Sequence, residues 1–275
     1  MSEPSAEDRL VCRLKLRLGG AEVEVEAHIP AGPIRLADIL PIFQRLTDAF
    51  LGSVVAEVER RGRRIPCRAG CGVCCRQPVP AAEAEAVYLA ELVEAMPPER
   101  RAAVRQRFVD ALARLEQDGL LDRLRGMFDL PDVGAHRALA AELLREQIAC
   151  PFLDEEACSI YPHRPLRCRE HLVLSPPLNC ARRELKIDKL ILPAEPSLIL
   201  YRFGDGRGRD KMRWVPLLLA LEWVERNREV AARTFPGPRL FENFLRELCR
   251  AQQRAGVPEG DTGTLSAREA LLAGE

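Results

Sequence analysis

The sequence predicts a mainly helical α+β protein with an N-terminal β-hairpin and a loop-rich cysteine cluster packed among helices. Three observations support this. Apolar and charged residues alternate over 11–29, several later segments repeat apolar residues at helical spacing, and most cysteines lie in two stretches rich in glycine or proline. A chain of 275 residues can bury a full hydrophobic core, so the cysteines are not needed to staple an undersized fold.

The N-terminal hairpin is predicted from residues 11–18 and 21–29, joined by the two-residue turn Gly19-Gly20. Closing on that turn gives three cross-strand pairs of opposite charge: Arg17 with Glu22, Lys15 with Glu24, and Arg13 with Glu26. These pairs and an apolar opposite face together fix the register.

The next element is predicted to be a long helix over 39–61, with Asp38 as its N-cap and Pro41 tolerated in the first turn. Shorter helices are predicted after it, over 80–96, 98–117, 120–128, 134–147, 215–227 and 238–252. Residues 185–192 fit a strand, and residues 197–203 fit either a strand or a helix.

The predicted organisation has four parts. They are a hairpin over 1–32, a cysteine-cluster metal-binding domain over 33–182, a mostly helical part over 183–255, and a mobile tail over 256–275. The apolar run 214–223 is shorter than the roughly 18 residues of a membrane span, and the first residues do not resemble a targeting signal. We therefore expect a cytoplasmic protein with no membrane partner.

Composition bears on the partner as well. The formal net charge is zero, and aromatic residues make up 5% of the chain without interleaving among the arginines that precede Cys67. Both facts disfavour a nucleic-acid partner. A protein or peptide substrate remains open.

Eight of the ten cysteines lie in two short segments that are suited to close on one another. The first segment contains Cys67, Cys71, Cys74 and Cys75, and the second contains Cys150, Cys158 and Cys168, with Cys180 twelve residues beyond. Thiolates a few residues apart in a loop can bind one soft metal ion or an iron–sulfur cluster. In a reducing compartment such clusters are more often ligands or reactive thiols than disulfides. The sequence therefore predicts a metal site that could bind either zinc or an iron–sulfur cluster.

Neighbouring residues bear on this site. Gly70 and Gly72 flank Cys71 and allow conformations that a side chain would resist. Because Cys74 and Cys75 are adjacent, their side chains diverge unless the backbone bends. One of the two could then bind a second metal or remain a free thiol.

Charged and aromatic residues also surround the predicted ligands. Thiolate-bound zinc and iron–sulfur centres are anionic, so Arg164 and Arg169 are predicted to stabilise that charge. Tyr161 fits either a packing role or contact with the bound group. His163 and His171 are near enough in sequence to be considered as ligands. Cys12 and Cys249, outside the two segments, are predicted to lie in the core.

The pattern Cys67-x3-Cys71-x2-Cys74-Cys75, then Cys150-Pro-Phe-Leu, then Cys158-Ser-Ile-Tyr-Pro-His-Arg-Pro-x2-Cys168-Arg resembles the YkgJ-type cysteine cluster proteins, described as zinc- or iron-chelating domains. The resemblance covers about 67–180. It implies that these seven cysteines match the family's cysteines and that its second motif matches Tyr161, Arg164, Pro165 and Arg169. Cys180 lies where that motif varies more. A related branch, the flagellin lysine methylases, carries a similar cluster associated with methyl transfer to protein lysines.

Three functions follow as alternatives. The first is a protein that chelates an iron–sulfur cluster or zinc, with a redox, sensing or metal-handling role. The second is an iron–sulfur-dependent group transferase acting on a protein or peptide, with the hairpin and the C-terminal helices forming its cleft. The third is a structural zinc protein that binds a partner. Iron–sulfur is slightly favoured, because the thiols outnumber the ligands of one zinc site and the related branch points that way. The sequence identifies no catalytic residue.

Overall fold

The computed structural model describes residues 9–18, 21–129, 132–182, 185–203 and 213–254. The predicted turn at 19–20 and the predicted mobile tail over 256–275 lie outside these described residues. In chain order the strands are β1 (Arg9–Leu18), β2 (Ala21–Pro30), β3 (Pro33–Arg35), β4 (Pro80–Ala82), β5 (Leu153–Asp154), β6 (Ala157–Cys158), β7 (Trp214–Pro216) and β8 (Thr234–Pro236). They form antiparallel pairs: β1 with β2, β3 with β8, β4 with β7, and β5 with β6.

Helices make up most of the described structure. They are α1 (Leu36–Arg60), α2 (Glu83–Glu94), α3 (Pro98–Gln117), α4 (Leu121–Arg125), α5 (Val133–Glu146), α6 (Leu166–Glu170), α7 (Pro196–Leu200), α8 (Ala220–Arg226), α9 (Arg228–Ala231) and α10 (Gly237–Arg254). The mainly helical α+β class is therefore confirmed.

The hairpin of β1 and β2 has the predicted register. The Cα partners include Arg17 with Glu22, Lys15 with Glu24, Arg13 with Glu26, and Cys12 with Ala27. Among the side chains that the structure describes, the predicted ion pairs Arg13–Glu26 and Lys15–Glu24 form, each at 2.9 Å. The side chains of the third pair, Arg17 and Glu22, lie outside the described ones. Cys12 is 7% exposed, so its predicted place in the core is confirmed as well. The alternation of charged and apolar residues within the two strands was thus sufficient to predict the register of the hairpin.

Helix α1 begins three residues earlier than predicted. Its N-cap is Arg35, and Asp38 lies at the third helical position, where its carboxylate accepts a hydrogen bond from the Arg35 backbone N–H at 3.2 Å. The prediction of Asp38 as N-cap was wrong because an acid can stabilise the first turn from inside the helix as well as from its cap. Pro41 consequently lies beyond the first turn.

Helix α1 is the central helix of the largest apolar cluster. Its Phe43 stacks on Phe244 of α10 with ring centroids 4.1 Å apart. By length and composition α1 could also cross a membrane, with a mean hydropathy of 1.3 over an 18-residue window that is 61% buried inside the molecule. Gln44, Thr47 and Asp48 interrupt its apolar residues, so the sequence has no continuous apolar run of this length here.

Three predictions in the C-terminal half differ from the structure. Residues 185–192 are not a regular strand; they contribute an isolated antiparallel bridge between Lys189 and Val173. Residues predicted as helix over 215–227 begin with strand β7, which pairs with β4. Cys249 is exposed rather than buried. Eight helical residues from Phe241 bring Cys249 roughly 80° around the helix from it, away from the buried stripe that includes Leu248.

Three apolar clusters frame the cysteine segments. The largest joins the hairpin, α1, α7 and α10 and reaches Leu166 and Leu172 in the second cysteine segment. Another joins α2 and α3 to Phe152 and Ile160, on the other side of that segment. The remaining cluster is built by α4, α5 and α8. The cysteine loops are therefore held by helices from both flanking parts of the chain.

Candidate metal centre

The first cysteine segment is a series of tight turns. Gly70 has φ +87°, a left-handed conformation that glycine adopts without strain, and the Cys71 N–H donates to the Arg68 carbonyl at 3.1 Å. A 3₁₀ turn, Val73–Arg76, then carries the adjacent cysteines. Gly72 has φ −102°, which any residue can adopt. The prediction that Gly72 is needed for a special backbone conformation was therefore wrong.

Gly72 is required by a close approach instead. A Cβ atom there would lie 2.3 Å from the Glu156 carbonyl oxygen and 2.5 Å from Leu153 Cδ1. Both neighbours belong to the β5–β6 hairpin, which carries part of the second cysteine segment. The missing side chain therefore lets the two segments pack backbone against backbone.

Hydrogen bonds and one ion pair join the two segments further. The Cys150 N–H donates to the Cys75 carbonyl at 2.7 Å. Gln77 donates from its side chain to the Cys180 carbonyl at 3.2 Å. The Arg76 guanidinium forms a two-pronged pair with the Glu156 carboxylate, at 2.8 and 2.5 Å. The loops thus form one unit although they are far apart in sequence.

Arg169 fixes the second segment to helix α1. Its guanidinium is 2% exposed and donates to Asp48 at 2.5 Å, to the Pro162 carbonyl at 2.5 Å and to the Arg164 carbonyl at 2.9 Å. Since these three acceptors occupy the guanidinium, Arg169 serves the site by holding the loop that precedes α6. On the α2 side, the Glu85 carboxylate accepts the Leu166 N–H at 2.6 Å.

Eight thiols line two adjoining cavities. The first cavity, of about 220 Å³, is lined by Cys67, Cys71, Cys74, Cys168 and Cys180. The second cavity, of about 380 Å³, is lined by Cys71, Cys74, Cys75, Cys150, Cys158 and Cys168. The structure therefore places all eight cysteines that the sequence predicts as ligands around these cavities. None of the eight is in a disulfide.

The adjacent pair Cys74 and Cys75 is electrostatically asymmetric. A hydrogen bond from the Cys75 thiol lowers the pKa of Cys74 to about 7, against the opposing effect of burial. The same interaction, together with burial, raises the pKa of Cys75 well above its ordinary value. Cys74 is therefore the first thiolate available near neutral pH.

Backbone amides point at sulfurs of the second segment. Burial raises the pKa of Cys150 to about 12, and the N–H groups of Phe152 and Leu153 act in the opposite direction. Burial likewise raises the pKa of Cys158, opposed by the Ile160 N–H. Such N–H donors favour the deprotonated sulfur that a metal binds, so the loop is prepared for thiolates despite its burial.

Arg164 lies at the boundary of both cavities. Its guanidinium carbon is 3.7 Å from the centroid of the Tyr161 ring, and its buried Nε has no hydrogen-bond partner among the described residues. Its positive charge acts against the burial that raises the pKa values of Cys67 and Cys158. This is the position of a cation that compensates thiolate charge.

The two histidines near the second segment have different surroundings. The His163 ring is engaged by the Tyr88 hydroxyl, with Nδ1 and the oxygen 2.7 Å apart. His171 lines both cavities, and within the described ranges its buried Nε2 has no hydrogen-bond partner. Burial lowers the pKa of His171, with further lowering from Lys189 and Arg167, so its ring is neutral and able to bind a metal.

The donor set fits zinc or iron–sulfur chemistry. It consists of soft sulfur ligands, one neutral imidazole without a partner and a nearby guanidinium. Among the described residues, however, no three His, Cys, Asp or Glu side chains already converge closely enough to hold a metal ion. Binding therefore requires the thiols to turn inward from the cavity walls.

Residues 66–184 match the family model CxxCxxCC, described as "Putative zinc- or iron-chelating domain". These residues are therefore similar to that domain family. The matched residues span both cysteine segments, include Cys180, and agree with the resemblance that the motifs suggested. The comparison with curated proteins and that with solved structures each gave no match. The family description supports a bound metal and leaves open whether it is zinc or iron.

A third cavity beside the thiol cavities was not predicted. This apolar cavity, of about 190 Å³, shares Gln77, Pro78, Val79, Pro80, Cys150 and Leu217 with the second cavity. Its other lining residues come mostly from α4, α5 and residues 214–218. None of the described hairpin residues lines it, contrary to the cleft expected for a transferase. No motif encodes such a cavity, because it depends on how distant helices pack.

Proposed function

We propose that the protein chelates an iron–sulfur cluster or zinc through the cysteines of both segments, and that it has a redox, sensing or metal-handling role. The observation that carries the proposal is the arrangement of eight free thiols around two adjoining cavities. Cys67, Cys71, Cys74, Cys75, Cys150, Cys158, Cys168 and Cys180 are the proposed ligands, and His171 is an additional candidate. A bound cluster would supply electron transfer, whereas zinc would supply charge and structural constraint.

Iron–sulfur is the favoured alternative. One four-thiolate zinc site uses four sulfur ligands. Eight free thiols line the two cavities here, which is more than one such site needs. This surplus of thiols supports iron–sulfur over a single zinc ion.

Arg164 and Tyr161 have a proposed supporting role. An iron–sulfur cluster with thiolate ligands is anionic, so a cation that is buried beside it stabilises the more reduced state. The guanidinium of Arg164 lies over the Tyr161 ring, which holds it at the cavities. Through this pair the protein would raise the reduction potential of a bound cluster.

Metal and acid-labile sulfide analysis of protein purified without oxygen tests the proposal. We expect iron and sulfide in equal amounts and broad visible absorption that is lost under oxidant. Zinc without sulfide would reject the iron–sulfur alternative and retain the chelating function. Protein that carries no metal, and takes up neither zinc nor iron with sulfide, would overturn the proposal as a whole.

A second function, a group transferase acting on a protein or peptide, is favoured by the apolar cavity. This cavity meets the second thiol cavity at Cys150, and its wall comes largely from outside the cysteine segments. Ala140 is exposed on that wall, so Ala140→Phe should narrow the cavity without touching a thiol. A transferase that uses this cavity should lose turnover with S-adenosylmethionine and a lysine peptide in this variant while keeping its metal. Absence of transfer by the wild type would reject this function.

A further inference from the structure

The lining of the two thiol cavities divides the eight cysteines into groups. Cys67 and Cys180 line only the first cavity. Those that line only the second cavity are Cys75, Cys150 and Cys158. The remaining three, Cys71, Cys74 and Cys168, lie on the wall common to both.

The turn after Cys67 places Cys71 with the first cavity. The Cys71 N–H donates to the Arg68 carbonyl at 3.1 Å, so Cys71 lies one tight turn from Cys67. The Val173 N–H donates to the Cys67 sulfur at 3.4 Å, and Val173 lines the first cavity but not the second. Cys71 is therefore the thiol of the common wall that adjoins Cys67.

The other two thiols of the common wall are Cys74 and Cys168. Cys74 lies in the 3₁₀ turn Val73–Arg76 beside Cys75 and lines both cavities, so it lies between the two groups. Zinc and iron–sulfur sites use four ligands, and Cys168 supplies the fourth to Cys75, Cys150 and Cys158.

We propose that the eight thiols form two metal centres that meet at Cys74. The first centre is held by Cys67, Cys71 and Cys180, and the second by Cys75, Cys150, Cys158 and Cys168. With Cys74 as its fourth donor, the first centre also has the four ligands that zinc and iron–sulfur sites use. This inference rests on the proposed chelating function and specifies how the ligands are divided.

Two centres explain why the adjacent cysteines occur together. Neighbouring side chains cannot easily point at one metal, and here Cys75 lines only the second cavity while Cys74 also lines the first. Each centre draws ligands from both segments, because Cys180 completes the first and Cys75 completes the second. Neither segment alone could therefore hold a complete centre.

The test compares two double variants of the full chain, purified without oxygen. Cys67→Ala with Cys180→Ala removes the thiols that line only the first cavity, and Cys150→Ala with Cys158→Ala removes two that line only the second. We expect each variant to retain about half of the wild-type metal, and their combination to retain none. Cys12→Ala with Cys249→Ala is the matched control and should retain all of it.

Far-UV circular dichroism establishes whether each variant is folded. If both folded double variants lose all their metal, the ligands belong to one centre and the inference is overturned. Wild-type protein without metal would instead overturn the chelating function itself.

Wild-type metal release provides a second test that needs no variant. With excess chelator, two centres in different cavities should release metal in two phases of about equal amplitude. Release in one phase would overturn the two-centre inference even if a double variant failed to fold.

Discussion

At the scale of single residues, the packing of the two cysteine segments depends on Gly72. The Glu156 carbonyl that a Cβ atom would meet at 2.3 Å belongs to the backbone of a hairpin and cannot rotate aside. Leu153, on the same hairpin, approaches from its side chain at 2.5 Å. A small substitution at this position therefore probes the contact between the segments.

We expect Gly72→Ala to lower the free energy of unfolding by about 1–3 kcal/mol, because the added methyl group forces the hairpin away. The metal content should fall as well, since the segments share the proposed ligands. Urea denaturation and metal analysis measure the two effects. Gly32→Ala is the control, because a Cβ atom there has no neighbour within 4 Å. Equal urea midpoints for the two variants would contradict this prediction.

At this scale the sequence predicts the clustered thiols but not all of their neighbours. The cysteine spacing was sufficient to nominate all eight thiols that line the cavities. It could not reveal that Gly72 faces Glu156, because that contact depends on a turn in the other segment. Cys249 was misplaced by a rotation of its helix, which the apolar pattern alone did not resolve.

At the scale of elements, helices α1 and α2 hold the loop that carries Arg164. Helix α1 supplies Asp48 to Arg169, and α2 supplies Tyr88 to the His163 ring. Gln44 of α1 also donates to the His163 carbonyl at 3.3 Å. The loop is therefore positioned by long-range contacts and not by its own secondary structure.

Arg169→Lys tests this arrangement. Lysine keeps the positive charge but lacks the planar fork that reaches three acceptors, so hydrogen bonds to the loop are lost. We expect the free energy of unfolding to fall by about 2–3 kcal/mol, measured by urea denaturation. Arg100→Lys is the matched control, because Arg100 is exposed and donates to the Ser159 carbonyl. It should change stability by less than about 0.5 kcal/mol. Similar losses in both variants would show that Arg169 does not hold the loop.

The elements predicted well from the sequence were those marked by neighbouring residues, such as charge pairs or prolines. The hairpin register followed from three charge pairs, and α3 was bounded by the prolines at its start. Residues 185–192 looked like a strand, yet their described partner is a single bridge to Val173. Pairing partners and the apolar cavity depend on the whole fold, so local patterns could not give them.

At the scale of the whole molecule, the apolar clusters do not rely on the thiols for most of their contacts. The largest is centred on α1 and α10, and another is built by α4, α5 and α8. Both are composed mainly of leucine, isoleucine, valine and aromatic side chains. The helical frame should therefore be stable without a bound metal.

We expect metal removal by a chelator to leave most of the helical far-UV circular dichroism signal unchanged. Limited proteolysis should then cut the chain within 67–77 and 150–182. These segments consist mostly of turns with few regular backbone hydrogen bonds, so they should open to the protease once the metal is removed. A structural zinc protein behaves differently, because its fold depends on the metal. Cooperative loss of the entire helical signal on chelation would contradict the expectation and favour the structural alternative. Protein treated with chelator already saturated with metal is the control.

The stacking of Phe43 on Phe244 has a consequence for synthesis of the protein. Helix α1 leaves the ribosome well before α10, which supplies Phe244 to cover Phe43. Until α10 is made, the part of the apolar face around Phe43 is uncovered on a 25-residue helix with the hydropathy of a membrane span. We therefore expect the nascent chain to need a chaperone until α10 has been made.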